Sequence, residues 1–171
     1  MSVPLNALLF SIIFLTNINT NLYSDVTYVE INEQLKTVTI NYTNILISEE
    51  DVFLEDEILS QIIKPSIKSI EPHLKYISSS YTKEDNHVNV NFKFKFTDNK
   101  VIQELFLIDL ENQQCKIYKG ENISINNEKF IELDNQREFV VFTRSNNGIY
   151  NIEYRWDKKI IYPKLISLSN K

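Results

Sequence analysis

Glycine, cysteine and histidine are scarce in this 171-residue chain, which holds two glycines, one cysteine and two histidines. Loops that cradle phosphate need clustered glycines, because the backbone must come close to the anion. Gly120 and Gly148 stand alone, so phosphate loops and dinucleotide fingerprints are excluded. The glycine-flanked serine elbow of hydrolases is excluded for the same reason. A single cysteine, Cys115, rules out an intramolecular disulfide, and it is expected to be a small buried apolar residue in a strand. With two histidines beside it the cysteine–histidine zinc patterns fail. His73 and His87 are not four residues apart, so the helical zincin arrangement fails as well. No metal and no cofactor is expected.

Excess positive charge is also lacking. Eighteen Lys and Arg face 23 Asp and Glu, for a net charge of -5, and the pI is near 5.1. Nucleic-acid phosphates and anionic membrane surfaces call for a basic face, so both are excluded as partners. A basic protein partner fits. A membrane-spanning helix takes about 20 apolar residues. The main apolar run, residues 5–15 (LNALLFSIIFL), is too short and contains Asn6. It has the length of a secretory h-region and is followed by polar sequence. Residues 1–24 are therefore expected to be a signal peptide, with Thr20 or Ser24 as the nearest substitutes for a small-residue cut. No Lys or Arg precedes the run, so the competing reading is an N-terminal element packed on the domain. Residues 25–171 are expected to be one globular domain, periplasmic or extracellular, with no stable insertion in a membrane.

What the chain does have is strand periodicity. Val88, Val90, Phe92, Phe94 and Phe96 alternate with Asn89, Asn91, Lys93, Lys95 and Thr97, the pattern of a strand with one buried and one wet face. Residues 25–31 and 35–43 read as a hairpin broken at Asn32, Glu33 and Gln34. Residues 101–110 read as a central strand. Further strands are expected at 114–118, 122–125, 129–133, 138–144 and 149–156, with an edge strand at 160–168 that contains Pro163. Asn147 and Gly148 form a hairpin-turn dipeptide. Leu54, Ile58, Leu59, Ile62 and Ile63 recur at helical spacing behind an N-cap at Ser48. Ile67, Ile70, Leu74 and Ile77 continue that spacing into a second, irregular helix. Ser78, Ser79 and Ser80 read as a polar linker. The fold class is α+β: a curved antiparallel β-sheet, built as a meander, with one or two helices packed on one face.

No catalytic constellation emerges. His87 follows Glu84 and Asp85, the composition of a solvated turn, and no base or oxyanion donor accompanies the three serines. Two groups are candidates for binding. Glu50, Asp51 and Glu55 lie in an acidic cluster at the start of the first helix, where they complement its dipole and offer an electronegative patch. Tyr150, Tyr154 and Trp156 share one face of the last long strand, and Arg155 lies on the other. Tyr, Trp and Arg are the residues most enriched in binding hot spots. If the aromatic face is core, Arg155 and its neighbours are the exposed side. The leading reading is an exported, non-catalytic binding protein, in its specific form an immunity-type inhibitor of a secreted toxin or enzyme. The alternative is a small-ligand or envelope accessory domain with a cavity between helix and sheet.

Overall fold

The computed structural model describes residues 22–48, 74–84, 87–106, 108–109, 111–116, 122–133, 136–145, 147–156 and 165–167. In chain order they form β1 (Leu22–Asn32), β2 (Thr37–Ser48), β3 (Lys75–Glu84), β4 (His87–Lys95), helix α1 (Asn99–Phe106), β5 (Ile108–Asp109), β6 (Gln114–Lys116), β7 (Asn122–Ser124), β8 (Asn127–Leu133), β9 (Gln136–Arg144), β10 (Ile149–Trp156) and β11 (Leu165–Ser167). The described architecture is dominated by antiparallel sheet, with one short helix. The large sheet is open and runs β3-β4-β2-β1-β10-β9-β8, with β11 added beside β2. A second sheet runs β5-β6-β7. No described helix is long and apolar enough to cross a membrane.

The alternation in β4 sets the large sheet's two faces. Val88, Val90, Phe92, Phe94 and Phe96 are all buried. Their cross-strand partners on β2 include Ile40 and Val38, which in turn face Val29 and Ile31 on β1. Those face Ile152 and Tyr150 on β10. Ile102 and Phe106 of α1, with Ile108, Cys115 and Ile123 of the small sheet, complete the same core cluster. The opposite face of β4 carries Asn89, Asn91, Lys93 and Lys95, none of them buried.

The strand expected over residues 101–110 is instead α1 followed by β5. Asp98 caps the helix: its Oδ1 accepts the Lys100 amide at 2.9 Å and its carbonyl accepts the Val101 amide at 3.1 Å. Ile102 and Phe106 are four residues apart and both buried, so a helical stripe was available in a segment that also reads as strand. The helical reading of Leu74 and Ile77 is corrected as well, since β3 begins at Lys75. Ser78, Ser79 and Ser80 are no linker; they pair with Lys93, Phe92 and Asn91. A register shift between Tyr76 and Ser78 leaves Ile77 46% exposed, as a bulge turns side chains to the other face. Within the large sheet the meander describes β8-β9-β10, and the small sheet β5-β6-β7 is a meander of its own. The first hairpin inserts beside β10, and the 114–116 and 122–124 strands belong to the separate sheet. The helix expected over residues 51–63 lies outside the described residues. So do residues 1–21 of the expected leader, while Leu22, Tyr23 and Ser24 pair with Ile47, Leu46 and Ile45.

Asn44 marks where β2 changes neighbours. Pairing with β4 runs from Thr37 to Tyr42, and pairing with β11 covers Leu46 to Ser48. Between them Asn44 adopts a left-handed φ of 50°, a conformation Asn tolerates better than most residues. Its amide donates to Asn89 Oδ1 at 2.9 Å, so a side chain replaces the missing ladder bond. The Ser145-to-Ile149 turn uses a glycine in the same way: Gly148 has φ 69°, and its carbonyl accepts the Glu33 amide at 3.3 Å. An added Cβ would meet only Glu33 Oε2, at 3.7 Å. Gly148→Ala is therefore expected to cost about 1 kcal/mol through backbone strain alone, with Gly148→Asn milder. Urea unfolding of the two variants checks this.

Candidate functional site on the outer sheet face

The candidate residues of β10 separate onto two faces. Tyr150 lies in the core, 2% exposed, stacked on Phe142 at 6.1 Å between centroids. Its hydroxyl hydrogen-bonds Glu33, and burial followed by the Glu33 charge raises its pKa above the ordinary 10.0. Asn99 Nδ2 donates to Glu33 Oε1 at 3.2 Å, and Lys36 Nζ donates to Asn99 Oδ1. Arg144 lies over the Tyr150 ring at 5.1 Å. This chain of contacts fastens the first hairpin turn to the start of α1 and to the end of β9. Tyr154 is partly buried against the core. Trp156 pairs through its backbone with Glu138. Glu50, Asp51 and Glu55 lie outside the described residues.

Arg155 occupies the outer face and is 53% exposed. Its Nε donates to Glu153 Oε1. That bond raises the guanidinium pKa, and the Tyr28 and Glu128 side chains are close enough to contribute. Tyr28 follows from the strand period: Val29 and Ile31 are buried, so Tyr28 and Glu30 face out. In register Tyr28 stands between Asn41 and Glu153. It is 39% exposed, a large ring on a wet surface.

No protein-family model matches the chain, and neither does any curated protein or any solved structure.

The outer face is thus defined by its own chemistry. On the β1, β10, β9 and β8 side, Tyr28 has Glu30 beside it on β1 and Glu153 opposite it on β10, with Arg155 paired to Glu153, and Glu128 lies further along the same row, beyond Val141. On the β2, β4 and β3 side, Thr39, Asn41 and Asn91 adjoin Lys93, Lys95 and Lys75. One half is therefore acidic and aromatic, the other basic and amide-bearing. At about 4.8 Å between strands, the seven-strand face is roughly 30 Å wide. Such a face can supply most of the ~800 Å² that a standard partner buries on each side. Tyr28 escaped the sequence reading because aromatics in strands usually serve the core. The signal that reveals it is its position out of phase with Val29 and Ile31.

Proposed function

We propose that this protein is an exported, non-catalytic binding module, of the immunity-inhibitor kind, that blocks a secreted toxin or enzyme by holding it on the acidic half of this outer face. The setting is the periplasm or the cell exterior. The observation that carries the reading is Tyr28: an exposed ring flanked by Glu30 on its own strand and Glu153 on the next, where Arg155 is salt-bridged to Glu153. An exposed aromatic supplies the anchor of an interface, and the carboxylates supply charge complementarity and a fast encounter with a basic partner. The Arg155–Glu153 pair is solvent-exposed, so it orients the surface and adds little to folding stability.

The test is co-purification of full-length tagged protein from its own cells, compared across variants. Wild type is expected to retain one stoichiometric basic protein. Tyr28→Ala is expected to weaken that association by about 30-fold or more, on the scale of a hot-spot aromatic. Glu30→Lys with Glu128→Lys is expected to slow association and to abolish its salt dependence. Ser80→Ala, on β3, should change nothing. Equal retention by wild type and Tyr28→Ala would remove this face from the interface. The intact mass of the captured chain tests export at the same time. A cut after Thr20 leaves the whole of β1 in place, whereas a cut after Ser24 deletes three paired residues.

A further inference from the structure

The core face of the large sheet carries two unpaired hydroxyls side by side. Across the register, Phe92, Ile40, Val29, Ile152 and Phe142 form an apolar row from β4 to β9, with Ser79 at its β3 end. Two residues along each strand, the next row reads Tyr81, Val90, Tyr42, Thr27, Tyr154 and Val140. Four of its six residues carry a hydroxyl, and the outer two, Tyr81 and Tyr154, are partly buried. The central two are almost fully enclosed: Thr27 is 4% exposed and Tyr42 is 3% exposed. Neither hydroxyl has a hydrogen-bond partner among the described residues. Although Thr27 and Tyr42 are direct cross-strand partners, they do not satisfy each other. The threonine hydroxyl sits on Cβ, close to the sheet, and the tyrosine hydroxyl sits a ring's length above it.

Leaving a buried hydroxyl unpaired is costly, and a bound water or guest molecule relieves that cost. Two on direct cross-strand neighbours offer a donor and an acceptor to one hydrogen-bonding group. Phe92 stands edge-on to the Tyr42 ring at 6.1 Å, and Val90 and Val140 complete an apolar surround. Among the described residues Thr27 is the one buried polar or charged residue, so an ionised group would enter without a counter-charge.

We propose that this hydroxyl row is a buried binding site for the uncharged hydrogen-bonding end, a hydroxyl or carbonyl, of a mostly apolar small molecule. Thr27 and Tyr42 are its direct partners. The site is independent of the outer face, since β1 presents Thr27 inward and Tyr28 outward.

Full-length protein is titrated with 1-hexanol, n-hexane and sodium hexanoate, followed by NMR shifts of the β1 and β2 amides. Hexanol is expected to bind with saturation, and hexanoate about tenfold or more weaker for want of a counter-charge. The Thr27→Val, Tyr42→Phe double variant is expected to weaken hexanol about tenfold and to leave hexane unchanged. Its melting temperature without ligand should rise, because two unpaired hydroxyls are gone. The single variants, nearly isosteric, give the same readings in part and stand in if the double variant folds poorly. Tyr28→Ala should bind hexanol like wild type, so that either reading can fail without the other. The proposal is overturned if hexanol does not bind, if hexanoate binds as well as hexanol, or if the double variant binds hexanol unchanged.

Discussion

Phe94→Ala is expected to destabilise the protein by about 3–5 kcal/mol, the range for deleting a buried ring. A natural domain has only about 5–15 kcal/mol in hand, so this variant should be partly unfolded at 37 °C. The site is chosen for its surroundings. Phe94 is 0% exposed, lies 6.2 Å from the Phe92 ring and 6.1 Å from the Tyr76 ring, and faces Val38 across β2. Its loss therefore loosens both junctions of β4 at once. β3 is held to the sheet by β4 alone, so its amides should exchange first. By contrast Leu35, in the first hairpin turn and 64% exposed, should change stability by less than about 0.5 kcal/mol when replaced by Ala. Urea unfolding with an unchanged slope, together with hydrogen exchange, checks both. A loss below about 1 kcal/mol at Phe94 would mean that this face of the sheet is not sealed as described.

The residues involved explain which parts of the fold were legible. In β4 every buried residue is apolar and every outward one polar, so the period of two is unambiguous, and its four inward residues are buried, as is Phe96 just past its end. The first hairpin was legible because Asn32, Glu33 and Gln34 interrupt two alternating runs. The structure adds that β2 continues to Ser48, past Asn44. Residues 101–106 were misread because their apolar positions suit both a buried strand and a short helix, and only the Asp98 cap decides between them. Ser78, Ser79 and Ser80 were misread because an edge strand with a wet outer face needs no apolar residues there. The placement of β1 beside β10 depends on contacts more than a hundred residues apart in sequence, which no local pattern encodes. The candidate site was legible in one respect. The alternation of β10 put Tyr150 opposite to Arg155, and the burial of Tyr150 makes the Arg155 side the surface. Tyr28 of β1 and Glu153 of β10 come together only through strand order, so that pairing was not readable in advance.

Stability is expected to fall steeply above pH 9, and Cys115 is the main reason. The thiol is fully enclosed and donates weakly to the Phe106 carbonyl, at 3.7 Å. Burial pushes its pKa from an ordinary 9.0 up to about 12. Burial likewise raises the Tyr42 hydroxyl above its ordinary 10.0. Between pH 9 and about 12 the folded protein therefore keeps a Cys115 proton that the unfolded chain releases. The unfolded state binds fewer protons, so unfolding becomes easier as pH rises. The contribution is complete below pH 9 and is lost progressively towards pH 12, at a slope of up to about 1.4 kcal/mol per pH unit for each such group. Tyr42 joins from pH 10. Other alkaline titrations affect wild type and variants alike, so the informative quantity is the difference in slope. Cys115→Ala should show a shallower decline from pH 9 upward, whatever its stability at pH 7. Tyr42→Phe should match wild type to pH 10 and decline less beyond it. Urea midpoints measured from pH 7 to pH 11 check this. Parallel curves for wild type and Cys115→Ala would mean that the thiol titrates while the protein is folded. The native protein would then also react with thiol reagents at pH 8, which an enclosed, protonated Cys115 should resist.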